Sequence, residues 1–174
     1  VLTLSKLENH KLEMAKSTFE LQPMMADLKE KFTTKATKPV HITINLQADT
    51  AYADDEFIKE AISNLLDNSI KYSGESVNID ISSQVTDKYT LIKVRDNGIG
   101  ISEKDMKTIF DKFERASASL RTKSGGTTGF GLGLNYVMNV TRSHGGYVSV
   151  ESQEGKYSEF TISLPVSTTE ETTV

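Results

Sequence analysis

The feature that most limits the fold of this chain is the amphipathic segment EFIKEAISNLLDNSIKYS at positions 56–73. Its apolar residues recur at spacings of three and four and form one continuous stripe, which predicts a helix that buries one side against a sheet. Asp54 or Asp55 can cap the start of this helix, and Gly74 marks its end. The residues of the stripe are Ile58, Ala61, Ile62, Leu65, Leu66 and Ile70.

Polar residues follow one edge of the same predicted helix. Glu60, Asn64, Asn68 and Lys71 recur at spacings of four, four and three, and therefore line up along the helix. Two asparagines within a helix carry a cost, because asparagine is a weak helix former. The edge is either an ordinary solvated surface or a binding surface. In the second interpretation the amide oxygens bind Mg²⁺, which prefers oxygen ligands and keeps several waters, and the lysine binds phosphate.

The remaining chain alternates between predicted helices and strands. The order of these elements favours an α+β fold, a two-layer sandwich in which helices cover one face of a mixed sheet. The polar stretch 116–129 predicts a long loop, and such loops are often functional lids. Residues 17–22 are predicted to be a break between two helices. The predicted helices are 1–16, 23–36, 103–110 and 133–144, and the predicted strands are 40–47, 77–85, 89–95, 147–152 and 159–165.

The stretch VRDNGIGIS at positions 94–102 places an acid at the end of an apolar strand. Asp96 could accept a hydrogen bond from an exocyclic amine such as that of adenine. Gly98 and Gly100 allow the backbone to bend and to approach a flat ligand without a Cβ clash. The other interpretation is an ordinary Asn-Gly turn after a strand. The glycine spacings in the chain match neither a dinucleotide fingerprint nor a phosphate-binding loop of the Gly-Lys-Ser/Thr type.

Three glycines at alternate positions, Gly129, Gly131 and Gly133, stand directly before a predicted helix. A flexible linker is one interpretation, but the bulky apolar residues between the glycines do not suit solvent. The alternative is a backbone that approaches a ligand, since helix N-termini attract phosphate. Arg115 lies at the start of the preceding loop, after the apolar pair in IFDKFERAS, and can reach a polyphosphate.

The order of these four segments carries a family resemblance. An Asn-rich helix, Asp-x-Gly-x-Gly, Phe-x-x-Phe and Gly-x-Gly-x-Gly before a helix resemble the N, G1, F and G2 boxes of the sensor histidine kinases. The catalytic, ATP-binding domain of those kinases belongs to the GHKL (Bergerat-fold) ATPases. The resemblance covers residues 39–166, and LSKLENHKLEM resembles the end of the second dimerisation helix. It implies a dimerisation-helix end and linker over 1–36, a catalytic domain over 37–166 and a polar tail over 167–174.

The resemblance also implies a role for each matching residue. Asn68 is expected to be the Mg²⁺ ligand, and Asn64, one turn earlier, faces the phosphates or the metal. Asp96 is expected to bind the adenine amine, and Arg115 to steady the terminal phosphates from the lid. The other positions expected to bind ATP are Lys71, Tyr72, Gly98, Gly100, Gly129, Gly131, Gly133 and Leu134.

The acceptor histidine of such a kinase is usually followed at once by an acid. His10, His41 and His144 are followed by Lys, Ile and Gly, so each is predicted to be structural. The resemblance therefore implies an ATP-dependent protein-histidine kinase whose acceptor lies upstream, on a dimerisation domain that this chain lacks. It further implies a response regulator as partner in two-component signal transduction, and a cytoplasmic domain whose parent is anchored in the inner membrane.

Two other functions remain open at this point. ATP-driven clamps of the same fold, such as the topoisomerase and chaperone relatives, hydrolyse ATP with a glutamate one turn before the metal-binding asparagine. Here Asn64 holds that position and Glu60 lies a further turn back, which disfavours hydrolysis for lack of a general base. A nucleotide-binding module without phosphoryl transfer is the other alternative.

Bulk composition excludes some functional classes. The net charge of -4 gives no electrostatic basis for binding nucleic acid, which usually requires a basic surface. The chain has no cysteine, so it holds neither disulfides nor thiolate metal sites. No apolar run approaches the ~18 residues of a membrane span. We therefore expect no membrane insertion of this chain itself.

Overall fold

The computed structural model describes residues 13–109 and 131–167. Residues 103–109 are helical, in addition to the elements named below. Within the described ranges, no helix combines the length and the hydropathy that crossing a membrane requires. In chain order the elements are β1 (Ser17–Glu20), α1 (Leu21–Thr34), β2 (Val40–Leu46), β3 (Thr50–Ala53), α2 (Asp55–Lys71), β4 (Val77–Val85), β5 (Tyr89–Asp96), α3 (Gly131–Ser143), β6 (Tyr147–Gln153) and β7 (Tyr157–Pro165).

Five strands form the main sheet, in the order β2-β4-β5-β7-β6. Strands β2 and β4 are parallel, whereas the β4–β5, β5–β7 and β6–β7 pairs are antiparallel. The strands of the β4–β5 and β6–β7 pairs are consecutive in the chain and form hairpins, and the sheet is mixed as expected.

Side chains on the two faces of the sheet differ in character. Along β4, Val77, Ile79 and Ile81 are buried, whereas Asn78 and Asp80 between them are exposed. This period of two is typical of a strand with one covered and one solvated face. Helices α1, α2 and α3 pack against the strands and share one hydrophobic core with them. The predicted α+β two-layer sandwich is confirmed.

Helix α2 forms as the sequence predicts. Asp54 caps it, because the Asp54 side chain accepts hydrogen bonds from the backbone N–H groups of Glu56 and Phe57. Five members of the predicted apolar stripe are buried in the core, and Ile70 is partly buried against it. The stripe therefore faces the sheet, and the polar edge lies along its side.

The predicted break at residues 17–22 is wrong. Ser17–Glu20 forms strand β1, which pairs antiparallel with β3, and α1 begins at Leu21, whose N–H donates to the Asp49 carbonyl at 2.9 Å. The cause is that β1 is short and mostly exposed, so its sequence shows no alternation, and its partner β3 is a separate four-residue strand. The apolar side of α1 joins the same core as the main sheet. The division of the chain at residue 36 stays a prediction.

A buried histidine joins the end of α3 to the start of α2. The His144 ring nitrogen Nδ1 lies 2.7 Å from the Val140 carbonyl, and Nε2 lies 3.0 Å from the backbone nitrogen of Asp54. Because the Asp54 N–H can only donate, Nε2 accepts, and Nδ1 carries the proton of a neutral ring. The Asp54 carboxylate also accepts from the Ala15 N–H at 2.9 Å. The prediction that His144 is structural is confirmed.

Acid should weaken this junction. Burial lowers the pKa of His144, and the nearby Lys16 adds to this, although the Val140 carbonyl and Asp54 oppose the shift. The unfolded chain, with an ordinary histidine pKa of about 6.5, therefore takes up the proton first. The stabilisation that the neutral His144 ring gives to the folded chain is complete above about pH 6.5, and it is lost as the pH falls towards the folded-state pKa.

We expect the free energy of unfolding in urea to fall less between pH 7.5 and pH 5.5 in His144→Gln than in the original chain. The substitution should also cost about 1–2 kcal/mol at pH 7.5, because the bond to Val140 is lost. The control is His41→Gln, since His41 is exposed on β2. An identical pH dependence in His144→Gln and the original chain would contradict this account.

Candidate nucleotide-binding site

The site is built where the end of α2 meets the loop that follows β5. The Ile99 N–H donates to the Tyr72 carbonyl at 3.0 Å, and Tyr72 is the C-cap of α2. A Cβ added at Gly98 would overlap the Tyr72 carbonyl oxygen and would lie 2.8 Å from Asp96 Oδ1. Only glycine allows this approach, which is to the protein's own backbone, and the predicted approach of Gly98 to a flat ligand stays a prediction.

Asp96 is the acid at the centre of this junction. Only 6% of the surface of Asp96 is exposed to solvent. The Gly98 N–H donates to Oδ1 at 2.9 Å, and the Ser69 hydroxyl lies 3.0 Å from Oδ2. Burial raises the pKa of the Asp96 carboxyl, while these two hydrogen bonds lower it. A carboxylate oxygen can accept more than one hydrogen bond, so the group retains the capacity to accept from a ligand amine.

The far side of the loop is attached to the β6–β7 hairpin. The Ile101 N–H donates to the Ser152 hydroxyl at 2.8 Å, and the Gly155 N–H donates to the Ile99 carbonyl at 2.7 Å. Gly100 has a φ of +69° and lies so close to the Gln153 carbonyl that a side chain would overlap it. The loop is therefore held in one conformation from both sides, as expected of a rigid wall of a binding site.

The two asparagines of α2 lie beside the first turn of α3. A Cβ added at Gly133 would lie 3.6 Å from Asn64 Cβ and 3.8 Å from Asn68 Nδ2. Asn68 is buried, and its Nδ2 has no hydrogen-bond partner in the described part of the chain. A buried amide without a partner is costly, so the group is suited to a bound ligand. The geometry brings together Asn64, Asn68 and Gly133, three of the residues predicted to lie on the phosphate side.

The residues present are compatible with one magnesium ion. The Asn68 side chain offers an amide oxygen as a ligand. In ranges 13–109 and 131–167 there is no group of three His, Cys, Asp or Glu residues that could hold a metal by themselves. Mg²⁺ does not require such a group, because it keeps several waters and takes only one or two protein oxygens beside substrate phosphates.

The other predicted site residues differ in position. Lys71 is exposed at the last turn of α2, and Tyr72 beside it is half-buried. Gly131 is the first residue of α3. Leu134 is fully buried in the core, so its predicted contact with ATP stays a prediction. Arg115 and Gly129 lie outside the described residues.

A cavity of about 440 Å³ lies on the other face of the sheet from helix α2. Asn78, Asp80 and Arg95 line it from strand positions that alternate with the buried ones. The cavity reaches Asp96, but the Asp96 side chain bonds to Ser69 on the helix side. Asn64 and Asn68 do not line this cavity, so we place the candidate site on the helix side of Asp96.

Sequence reasoning missed Ser69 and Ser152. Ser69 follows Asn68 directly and had no pattern of its own, since its partner Asp96 lies 27 positions away. Ser152 lies in a strand and supports the glycine loop from 51 positions away. A small polar residue on the buried side of an amphipathic helix was the available signal for Ser69.

Residues 53–168 match the family model described as "Histidine kinase-, DNA gyrase B-, and HSP90-like ATPase". The chain belongs to this family. The matched range of this ATPase family includes α2, the Asp96 loop and α3. Together with the sensor histidine kinases named below as relatives, the match confirms the predicted resemblance to the ATP-binding domain of those kinases.

Relatives of this ATPase domain include full-length kinases. The sensor histidine kinase WalK of Bacillus subtilis is 31% identical over 169 residues, which are 95% of this chain and 27% of WalK. The signal transduction histidine-protein kinase ArlS of Staphylococcus epidermidis is 34% identical over 134 residues, or 77% of this chain and 27% of ArlS. The chain thus spans about a quarter of the length of these two relatives.

Solved structures share the fold. The histidine kinase AdeS of Acinetobacter baumannii aligns with a TM-score of 0.74 at 24% identity, covering 94% of this chain and 73% of the solved AdeS chain. The catalytic domain of the histidine kinase ThkA aligns with a TM-score of 0.72 at 24% identity, covering 88% of this chain and 99% of the solved domain. At this level of identity the likeness concerns the fold.

Gly98→Ala should separate α2 from the loop. We expect a loss of about 2–4 kcal/mol in the free energy of unfolding, because the new methyl group displaces the Tyr72 carbonyl and the bond from Ile99 is lost. Urea unfolding would measure the change. Gly74→Ala is the matched control, since a Cβ there meets nothing within 4 Å. Equal stability of the two variants would contradict the close-contact role of Gly98.

Proposed function

We propose that this chain is the ATP-binding catalytic domain of a sensor histidine kinase. The observation that carries the proposal is the buried Asp96 carboxylate, fixed between α2 and the glycine loop, in a chain of this ATPase family. A carboxylate held in this way can accept a hydrogen bond from the exocyclic amine of adenine. Asn68 and Gly133 lie close together where the phosphates would extend from the base.

The proposed chemistry needs positioning and neutralisation of charge. Phosphoryl transfer places little covalent demand on the protein, so groups that hold ATP in one orientation can support it. Asp96 would orient the base, and the Tyr72–Ile99 contact would keep the base pocket rigid. Lys71, exposed at the end of α2, would attract phosphate, as would the N-terminal turn of α3. We further expect Arg115 to steady the terminal phosphates and Gly129 to allow the backbone to approach them.

Magnesium would be held through the Asn68 amide oxygen. When bound, the ion would supply Lewis-acid neutralisation of the phosphate charge. The Asn68 Nδ2, which has no hydrogen-bond partner in the described part of the chain, is a donor and would suit a phosphate oxygen while the amide oxygen holds the ion. Asn64 would face the phosphates or the metal on the same edge.

No described histidine suits the acceptor role. His144 is buried and uses both ring nitrogens within the fold, and His41 is followed by Ile42 on strand β2. His10 lies outside the described residues. We therefore infer that the acceptor histidine is on a dimerisation domain upstream in the parent protein. A response regulator would receive the phosphoryl group, and the parent would be anchored in the inner membrane with this domain in the cytoplasm.

The arrangement of α2 disfavours an ATP-hydrolysing clamp. In that class a glutamate stands one turn before the metal-binding asparagine, whereas this chain has Asn64 there. Glu60 is exposed and one turn further away. A nucleotide-binding module without transfer is the remaining alternative, and activity measurements separate it from a kinase.

A transfer assay tests the proposed function. We would incubate the chain with Mg²⁺, ATP labelled in the γ-phosphate and a separately prepared dimerisation domain of the parent. We expect acid-labile label on a histidine of that domain. ATP binding without transfer would instead support a binding module, and release of free phosphate alone would support a clamp.

Asn68→Ala should weaken ATP binding only when Mg²⁺ is present. We expect at least about a tenfold rise in the Kd for ATP, which corresponds to about 1.4 kcal/mol, because the metal loses its protein ligand. Calorimetry with Mg²⁺ and with EDTA would measure the two affinities. The control Asn45→Ala removes an exposed asparagine from β2. Unchanged affinity of Asn68→Ala in Mg²⁺ would contradict the metal assignment.

A further inference from the structure

Ser69 lies on the buried side of α2, directly against the base-recognising acid. Only 3% of its surface is exposed. Its hydroxyl oxygen lies 3.0 Å from Asp96 Oδ2 and 3.1 Å from the Leu65 carbonyl. A serine hydroxyl has one hydrogen to donate, so these two acceptors compete for it. An ionised carboxylate is the stronger acceptor, which favours the bond to Asp96.

We propose that Ser69 is a positioning residue that fixes the plane of the Asp96 carboxylate and thereby sets the preference for a 6-aminopurine over a 6-oxopurine nucleotide. This inference rests on the proposed function, since it assumes that Asp96 faces the purine base. Ser69 itself would not contact the nucleotide.

The argument begins with the freedom of an aspartate side chain. The terminal torsion of aspartate is broad, so a carboxylate held at one oxygen can still rotate. In this site the two oxygens have separate donors, the Gly98 N–H at Oδ1 and the Ser69 hydroxyl at Oδ2. Two donors on two different structural elements fix the plane. The lone pairs that remain then point in constant directions, which is preorganisation for a ligand donor.

The selectivity for adenine depends on the group that the purine presents at position 6. Adenine presents an amine, which donates to the carboxylate, whereas hypoxanthine presents a carbonyl oxygen, which cannot. A site built to pair with a donor rejects the analogue that lacks it, because buried polar groups are left unpaired. If the carboxylate could turn, it could relax away from the carbonyl oxygen, and the discrimination would decrease. Ser69 prevents this rotation.

The test compares ATP with ITP, which differ at position 6 of the purine and also in the donor and acceptor state of N1. Calorimetry with Mg²⁺ would give the ratio of the two Kd values for the original chain, Ser69→Ala and Ser69→Thr. The matched control is Ser63→Ala, which removes a buried serine hydroxyl from the same helix. Thermal unfolding of each variant would show that it is folded.

We expect the original chain to prefer ATP, and Ser69→Ala to reduce that preference about tenfold, equal to about 1.4 kcal/mol. Ser69→Thr keeps the hydroxyl and should restore the preference, while Ser63→Ala should leave it unchanged. A merely structural role for Ser69 would weaken both nucleotides equally and leave the ratio unaltered.

Several outcomes would overturn the inference. An unaltered ratio in Ser69→Ala, an equal loss in Ser63→Ala, or no recovery in a folded Ser69→Thr would each do so. Equal binding of ATP and ITP by the original chain would also reject it. If the original chain bound no purine nucleotide at all, the proposed function itself would fail, so the two failures are distinguishable.

Discussion

The end of helix α2 and the end of strand β5 are joined by a backbone contact that only glycine permits. Gly98 passes so close to the Tyr72 carbonyl that no side chain fits between them, and the Ile99 N–H closes the contact at 3.0 Å. This contact places Asp96 against Ser69. Because the other side of the loop is bonded to Ser152 and Gly155, the helix, the loop and the β6–β7 hairpin form one connected wall.

A second junction fixes the opposite end of the same helix. Asp54 caps α2 with its side chain, donates its own N–H to His144 at the end of α3, and accepts from Ala15. The two helices are thus tied together at the start of α2, while Gly133 brings the first turn of α3 next to Asn68. The candidate site therefore lies between two helices whose positions are fixed by these contacts.

Local sequence patterns predicted the larger elements but not the contacts between distant ones. The apolar stripe of α2 is long enough to define a helix, and Asp96 and Gly98 stand in one short motif, so both were predictable. Strand β1 was not, because four mostly exposed residues show no alternation. Ser69 was also missed, since the role of a small polar residue on the buried face depends on a partner in another strand.

The central claim is that α2, the Asp96 loop and the start of α3 surround one MgATP molecule. Amide chemical shifts of the ¹⁵N-labelled chain, followed during titration with MgATP, test this claim most directly. The account predicts saturable shifts at Asn64, Asn68, Gly98 and Gly133, with small changes at Asn45 and Thr43 on the open face of β2. Shifts confined to the open face around Arg95 and Tyr157, or no shifts at all, would contradict it.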